Sequence, residues 1–237
     1  MSAPHIAVVG TGKMGRAVAQ LAAERGWTVT AIIGRDENAA GTGITRARLG
    51  DAQVVVEFTE PSCAEDNVRA ALDAGYAVVS GTTGWDEGLA RLRERVAHEG
   101  GALLHAPNFS VGVNLFLAVL RQAGQIMAGG RAFEAHLVET HHAAKKDAPS
   151  GTALAILRAL REGLGADVPV TSIRTGHVPG THELTFDGPF EQITLAHTAR
   201  DRRVFADGAL VAAEWLRGRQ GVFTMADVLG LPGGSHP

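Results

Sequence analysis

The sequence predicts an α/β protein in two parts, a parallel-sheet domain followed by an α+β domain. Short, continuously apolar strands alternate with helical stretches from residue 6 to residue 105, which is typical of a parallel sheet covered on both faces. After Ser110 the pattern changes to a long helix, 113–127, a strand, 132–139, and then alternating segments separated by turns, which indicate antiparallel strands. The final stretch, 205–231, is predicted to be helical and to pack back on the first domain.

The first strand runs into a glycine-rich loop. Residues 6–9 are predicted as a strand, 16–25 as a helix and 28–33 as a second strand. In a G-x-G-x-x-G loop between a strand and a helix, the first glycine makes a tight turn, the second admits a pyrophosphate and the third lets helix and strand pack closely. We therefore predict an N-terminal Rossmann-like dinucleotide-binding domain, with cofactor contacts from Gly10, Thr11, Gly12, Lys13, Met14 and Gly15.

Three later strands, predicted at 54–58, 77–80 and 102–105, also end in distinctive loops. The carboxyl ends of parallel strands meet at one edge of the sheet, and ligands bind at that edge. We expect the following residues to line the cofactor site there: Phe58, Gly81, Thr82, Thr83, Ala106, Pro107, Asn108 and Phe109.

The end of the second predicted strand bears on the choice of cofactor. Gly34 stands where a carboxylate usually accepts hydrogen bonds from an adenosine ribose, and Arg35 offers a planar cation suited to a 2′-phosphate. We therefore predict that Arg35 contacts the cofactor and that NADPH is preferred over NADH. Asp36 and Glu37 follow directly and could replace the missing carboxylate, so use of NADH as well stays open.

A segment in the second half combines two imidazoles, two ammonium groups and a helix start. Lysine occurs only at Lys13, Lys145 and Lys146, although the chain carries 22 Lys plus Arg, and lysine changes its pKa on burial more readily than arginine. Ser150 is a suitable N-cap for a helix over 153–160, and the small residues Gly151 and Thr152 leave the first amides open to an anion. The segment is therefore predicted to hold an anion and to move protons.

The composition excludes several classes of partner. A net charge of −3 and scattered arginines indicate no nucleic-acid surface. The only cysteine, Cys63, cannot form an internal disulfide, which suits a reducing compartment. The start of the chain lacks a basic region, and its apolar run is too short for a signal peptide or a membrane span. We expect a cytoplasmic protein with no membrane partner.

Motifs along nearly the whole chain resemble those of one family, the 4-hydroxy-tetrahydrodipicolinate reductases, also called dihydrodipicolinate reductases. Segments 10–15, 57–61, 81–84 and 106–114 resemble its cofactor-domain motifs in order, and His197, Arg202 and 205–209 resemble a later segment. Its signature, E-x-H-H-x-x-K-x-D-x-P-S-G-T-A, is similar to residues 139–153.

The resemblance implies NAD(P)H-dependent reduction of 4-hydroxy-tetrahydrodipicolinate to tetrahydrodipicolinate with loss of water, in diaminopimelate and lysine biosynthesis. It implies proton transfer by His141 and Lys145, and binding of a small dicarboxylate substrate by His142, Gly151 and Thr152. It also implies a homotetramer. We expect residues 1–109 and 205–237 to form the dinucleotide-binding domain, and residues 110–204 to form the substrate-binding and oligomerisation domain.

Other functions compete with this interpretation. Another two-domain dehydrogenase, such as one acting on aspartate, would share the cofactor half but would not need residues 149–152 beside a pair of histidines. A dinucleotide-sensing protein without catalysis would carry an inert second domain or a DNA-binding element, and the sequence indicates neither. A metal site at His141 and His142 is not predicted, because adjacent histidines on a strand point in different directions. Lys146 follows Lys145, and the H-H-x-x-K spacing favours Lys145 as the lysine that faces the substrate.

Overall fold

The computed structural model describes residues 3–129 and 133–234, so Ala132, where one strand was predicted to begin, lies outside the described residues. The chain divides into two compact units. One contains the chain up to Val111 together with the chain from Arg203 onward, and the other is Gly112–Arg202. The roles expected of the two domains stay predictions.

The elements of the first unit before the chain leaves it are β1 (His5–Val9), α1 (Lys13–Glu24), β2 (Thr28–Ile33), α2 (Arg46–Leu49), β3 (Val54–Glu57), α3 (Pro61–Asp73), β4 (Ala77–Ser80), α4 (Asp86–Glu99) and β5 (Ala102–His105). The second unit contains α5 (Val111–Met127), β6 (Glu134–His141), α6 (Gly151–Leu164), β7 (Val170–Arg174), β8 (Thr181–Asp187) and β9 (Gln192–Thr198). The chain returns to the first unit with α7 (Arg203–Leu216), β10 (Gly221–Phe223) and α8 (Met225–Val228).

The first unit is built on a parallel sheet with the strand order β10-β5-β4-β3-β1-β2. Its strands are apolar on both faces: Ile6 and Val8 enter one buried cluster, whereas Ala7 and Val9 enter the other. This arrangement follows from the period of two along a strand and from the helices that cover each face. The predicted α/β fold with a Rossmann-like first domain is confirmed.

One prediction for this unit was wrong. The stretch 205–231 was predicted to be helical throughout, but the structure places β10 between α7 and α8, where it pairs with β5 in parallel. Val222 and Phe223 complete the apolar edge of the sheet there, so tertiary pairing overrides the helical pattern that the flanking residues set.

The second unit is a four-stranded sheet with the order β7-β6-β8-β9. Leu137, Leu184 and Phe186 point from it into a core that also contains Leu120 of α5 and Ile156 of α6. The prediction of antiparallel strands holds for β6–β8 and β8–β9, but β6 and β7 pair in parallel. The reason is that α6 lies between β6 and β7 in the chain, and a helical crossover returns the next strand in the same direction.

Ser150 begins α6 as predicted. Its hydroxyl accepts a hydrogen bond from the backbone N–H of Ala153 at 3.1 Å, and Gly165 ends the helix in the left-handed conformation.

Among the described residues, no helix is both long and apolar enough to cross a membrane.

Candidate active site

A cavity of about 570 Å³ lies at the carboxyl ends of β1, β2 and β3. At this point the strand order reverses between β1 and β3, which is where doubly wound sheets bind ligands. Five of the predicted cofactor residues line the cavity: Gly10, Thr11, Gly12, Arg35 and Phe58. The remaining predicted cofactor residues do not line this cavity: Lys13, Met14, Gly15, Gly81, Thr82, Thr83, Ala106, Pro107, Asn108 and Phe109.

The three glycines of the loop have different surroundings. A Cβ atom at Gly10 would lie 2.0 Å from the carbonyl oxygen of Phe58, and one at Gly15 would lie 1.9 Å from the carbonyl oxygen of Gly10. A Cβ atom at Gly12 would have no described heavy atom within 4 Å. Gly10 and Gly15 are therefore required by packing, whereas Gly12 leaves open space at the start of α1, where backbone amides can receive a pyrophosphate.

A buried glutamate ties together the loops that follow β3 and β4. Glu57 is 1% exposed, and its carboxylate accepts hydrogen bonds from the hydroxyls of Thr59, Ser80 (2.7 Å) and Thr82 (2.8 Å). The Thr82 hydroxyl in turn accepts a hydrogen bond from the Thr59 N–H at 2.8 Å. Burial raises the pKa of Glu57, and the hydroxyl donors oppose that rise. The Thr82 hydroxyl therefore links the loop after β4 to the loop after β3.

Gly81 and Phe109 act on the same edge through Phe58. A Cβ atom at Gly81 would lie 2.0 Å from the Phe58 ring, and the rings of Phe58 and Phe109 meet edge to face at a centroid distance of 5.7 Å. Phe58 lines the cavity. Gly81 and Phe109 therefore set the position of the aromatic ring that forms part of the cavity wall.

Arg35 lies on the rim of the cavity with 84% of its side chain exposed, and Nη2 is 3.4 Å from Glu60 Oε2. Sequence reasoning missed two amides of the cavity wall, Asn38 and Asn67, which are joined by a 2.7 Å hydrogen bond. Neither belongs to a motif, and only the fold brings them together.

In the second unit, strand register gathers polar side chains on one face of the sheet. Glu139 and His141 are two residues apart on β6, so they share a face with the core residue Leu137. Pairing places Ser172 and Arg174 of β7 beside them on one side and His182 of β8 on the other. Residues from β6, β7 and β8 therefore form a polar patch at one end of the sheet face that packs on the core.

Glu139 is fully buried at the centre of this group. Its Oε1 accepts hydrogen bonds from the Ser150 N–H (2.9 Å), the Ser172 hydroxyl (2.7 Å) and Arg174 Nη2 (2.8 Å). Burial by itself would raise the pKa of Glu139, but the donors Ser150, Arg174 and Ser172 outweigh it and lower the pKa to about 2. Glu139 is therefore an anion throughout the physiological pH range.

Two buried imidazoles face the other oxygen of this carboxylate. His141 Nδ1 is 3.2 Å from Glu139 Oε2, His182 Nε2 is 3.7 Å from it, and the two rings are 5.2 Å apart. Burial lowers the pKa of His141, and Glu139 opposes this shift. Burial and the neighbouring His141 lower the pKa of His182 to about 4, so that His182 is neutral at pH 7.

In the loop before α6, the side chain of Lys145 binds the carboxylate of another residue of the same loop, Asp147. Lys145 Nζ donates to both oxygens of Asp147, at 2.8 and 2.9 Å. The Lys145 hydrogen bond lowers the pKa of Asp147, and the Gly151 backbone N–H contributes to the lowering. Lys145 and the first amide of α6 therefore converge on one carboxylate, whereas Lys146 is exposed. His142 and Thr152 are half-buried on either side of this loop.

Glu139, His141 and His182 each offer an atom that can coordinate a metal ion. One ligand atom from each lies within 4.8 Å of the others, and a carboxylate with two imidazoles suits zinc. The same group is faced by two fixed cations, because Arg174 donates to Glu139 and the charge of Lys145 acts on His141. A divalent cation would have to enter beside both, so we interpret the group as a buried cluster of one carboxylate and two imidazoles. The absence of a metal stays a prediction.

Comparison with known proteins identifies the family. Models described as "Dihydrodipicolinate reductase, N-terminus" and "Dihydrodipicolinate reductase, C-terminus" match residues 4–109 and 112–229. The chain belongs to the dihydrodipicolinate reductase family. It is 40% identical to the 4-hydroxy-tetrahydrodipicolinate reductase of Gluconobacter oxydans, over 97% of this chain and 98% of that one. It is 34% identical to that of Christiangramia forsetii, over 95% and 97% of the two chains.

A solved structure supports the fold. The dipicolinate-bound dihydrodipicolinate reductase from Paenisporosarcina sp. TG-14 matches with a TM-score of 0.75 over 94% of this chain and 98% of that chain, at 20% identity. The predicted resemblance is thus confirmed, and the protein is an oxidoreductase. Membership of this reductase family, together with the glycine loop on a Rossmann-like sheet, indicates NAD(P)H as the cofactor.

Sequence reasoning did not assign roles to Glu139, Ser172, Arg174 and His182. A signal for Glu139 existed, because its position two residues before His141 on a predicted strand puts both on one face. The others are brought to the cluster by pairing of β7 and β8 with β6.

The surroundings of the glycines predict that Gly12→Ala and Gly15→Ala will have different effects. Gly15→Ala should destabilise the protein by about 1–3 kcal/mol, because its new methyl group would meet a backbone carbonyl. Gly12→Ala should change stability by no more than about 0.5 kcal/mol. It should nevertheless weaken NADPH binding by about tenfold or more, because the methyl group occupies the space above the helix start. Thermal unfolding and fluorescence titration measure the two quantities, and equal destabilisation by the two variants would contradict the assignment.

Proposed function

We propose that this protein catalyses the NAD(P)H-dependent reduction of 4-hydroxy-tetrahydrodipicolinate to tetrahydrodipicolinate, with loss of water, in diaminopimelate and lysine biosynthesis. Family membership supports the reaction. The observation that carries it is the carboxylate of Asp147, held jointly by Lys145 and the Gly151 amide. A loop that binds a carboxylate in this way is suited to hold one of the two carboxylates of the substrate.

The proposed substrate contacts follow from the chemistry of this loop. A substrate carboxylate replaces Asp147 on Lys145 and on the start of α6, where Gly151 and Thr152 supply backbone amides. His142 contributes a further contact. The exchange of one carboxylate for another is nearly balanced in charge, so Lys145 stays charge-paired in the free and bound enzyme.

Proton transfer is the task proposed for His141 and Lys145. When bound, the nicotinamide supplies hydride to the conjugated ring. The ring must then receive a proton, and a positioned acid within hydrogen-bond reach supplies it. Lys145 has the protons, and His141 is a buried imidazole whose protonation changes with its surroundings.

The cofactor is proposed to bind at the edge of the first sheet, by contacts from the glycine loop (10–15), Arg35, Phe58, residues 81–83 and residues 106–109. The cavity at Gly10, Gly12, Arg35 and Phe58 supports this assignment most directly. NADPH is preferred over NADH in this proposal, because Arg35 has an exposed guanidinium beside the cavity and Gly34 supplies no carboxylate.

Assembly as a homotetramer through the second unit is also proposed. The face of the four-stranded sheet opposite its core carries Ile173 of β7, which is 41% exposed and lies beside Thr140 of β6. Threonines of β8 and β9 share this face: Thr181, Thr185, Thr194 and Thr198. A cytoplasmic location stays a prediction from the composition.

The proposed reaction predicts that the purified protein oxidises NADPH only when the product of dihydrodipicolinate synthase is supplied. The loss of absorbance at the nicotinamide band measures this, and pyridine-2,6-dicarboxylate should compete with the substrate because it presents two carboxylates on a planar ring. Turnover with oxaloacetate plus ammonia, and none with the synthase product, would favour an aspartate dehydrogenase instead.

Lys145→Ala should lower kcat by about a hundredfold or more, because it removes a positioned proton donor. It should also raise KM, because a partner of the substrate carboxylate is lost. Lys146→Ala is the matched control: it removes the same charge one residue away, from an exposed side chain, and should change both constants little. Steady-state kinetics separates the variants, and a crippled Lys146→Ala enzyme would show that the wrong lysine has been assigned.

Arg35→Ala should erode the preference for NADPH by weakening NADPH alone. The reason is that a guanidinium can pair with a 2′-phosphate, which NADH lacks. The measurement is kcat/KM for both nucleotides in both proteins, with Arg69→Ala as a control for loss of an exposed cation on α3, the helix that carries Asn67 of the cavity wall. An equal loss for the two nucleotides would reject this role for Arg35.

A further inference from the structure

One buried carboxylate contacts both parts of the candidate active site in the second unit. Glu139 Oε1 accepts the backbone N–H of Ser150, the residue that caps α6, and Oε2 lies 3.2 Å from His141 Nδ1. The start of α6 is the anion-binding element, and His141 is the proposed proton-transfer group. A single side chain therefore sets the position of one against the other.

The two oxygens of Glu139 are used differently. Oε1 accepts three donors, whereas Oε2 and His141 Nδ1 are both buried and have no hydrogen-bond partner within the described part of the chain. A small rotation of the imidazole would turn Nδ1–H onto Oε2, and catalytic hydrogen bonds of this kind often tighten only when the substrate is bound. The geometry reserves one carboxylate oxygen for the imidazole.

The other ring nitrogen of His141, Nε2, has open space beside it. A Cβ atom at Gly180 would lie 3.0 Å from His141 Nε2, so glycine at this position keeps space open beside that nitrogen. If Nδ1 carries a proton directed at Glu139, Nε2 is the nitrogen that exchanges a proton with a ligand.

We propose that Glu139 is a positioning residue, whose buried carboxylate orients His141 through Nδ1 and holds the start of α6 through Ser150. The inference rests on the proposed function for the role of His141 in proton transfer. It assigns a task to a residue that touches neither substrate nor cofactor in that proposal.

The charge on Glu139 also acts on the protonation of His141. Burial lowers the pKa of His141, Lys145 and Arg174 lower it further, and Glu139 and Asp147 raise it. His182, from β8, also faces this ring, and it is neutral at pH 7. Since the anion stabilises the imidazolium, removing its charge must lower the pKa of His141.

Glu139→Gln tests the proposal because it keeps the shape and one oxygen. The amide oxygen can still accept from Ser150 and Arg174, but its NH₂ group then faces His141 Nδ1 and forces the other tautomer. We expect kcat to fall by on the order of a hundredfold, with a much smaller change in KM. We also expect the pKa of His141, followed by NMR of its imidazole, to move to lower pH. Glu134→Gln is the matched control, because it removes the same charge from an exposed position on the same strand.

A second variant separates charge from structural disturbance. Ser172→Ala removes a donor to the same carboxylate oxygen but leaves the carboxylate and its charge, so the titration of His141 should stay close to that of the wild type. Thermal unfolding followed by circular dichroism reports that each variant is folded, because a misfolded second unit would lose its cooperative transition. The NMR titration requires no turnover, so a wild-type protein inactive on the synthase product would reject the proposed reaction without deciding this inference.

Three results would overturn the inference. The first is an unchanged or raised pKa of His141 in Glu139→Gln. The second is an equal shift in Ser172→Ala, which would assign the effect to packing. The third is loss of wild-type activity on treatment with a chelator and its recovery with zinc, which would show that Glu139, His141 and His182 hold a metal ion instead.

Discussion

The second unit depends on the requirement that a buried charge be paired with hydrogen-bond donors of the protein. Glu139 is removed from water, and an isolated carboxylate in that position would be costly. Its donors come from β7 and from the residue that caps α6. Meeting this requirement therefore sets the register of β7 on β6, and it also sets the point at which α6 begins. The loop proposed to bind an anion and the histidine cluster follow from that arrangement.

The first unit contains a second buried glutamate, and the contrast between the two is informative. Glu57 receives neutral hydroxyl donors, and burial raises its pKa. Glu139 receives a guanidinium and a backbone amide at a helix start in addition to a hydroxyl, and its pKa falls to about 2. Donors that carry charge or a helix dipole stabilise the anion more strongly than hydroxyls do. Glu57 accordingly serves as a cross-link between loops, whereas Glu139 supplies a permanent negative charge.

The loop before α6 illustrates how the anion site that we propose is kept ordered before a ligand arrives. Arg174 donates to the carbonyl oxygen of Asp147 at 2.5 Å, so the cation that pairs with Glu139 also holds this loop. Lys145 and the helix start then close on the Asp147 carboxylate. A dicarboxylate meets a loop that is already shaped for a carboxylate, which reduces the ordering that binding would otherwise require.

The sequence alone determined the parts of this protein that depend on local pattern. The alternation of apolar strands and helices specified the parallel sheet. The spacing of Gly10, Gly12 and Gly15 specified the turn at its edge, and Ser150 specified the start of α6. These features are readable because backbone conformation and the face on which a side chain lies are set by neighbours in the chain. The resemblance to the reductase family was carried by such contiguous segments.

Only the tertiary structure decided which distant residues meet. The parallel pairing of β6 with β7, the edge strand β10, the Asn38–Asn67 contact and the cluster of Glu139, Arg174 and His182 all join segments that are far apart in the chain. Strand pairing and register result from the packing of whole faces and from the donors that a buried charge requires, and no local pattern contains that information. The sequence therefore predicted His141 and Lys145 as the residues with reactive groups, and the fold placed the buried carboxylate of Glu139 beside His141 and the exposed carboxylate of Asp147 beside Lys145.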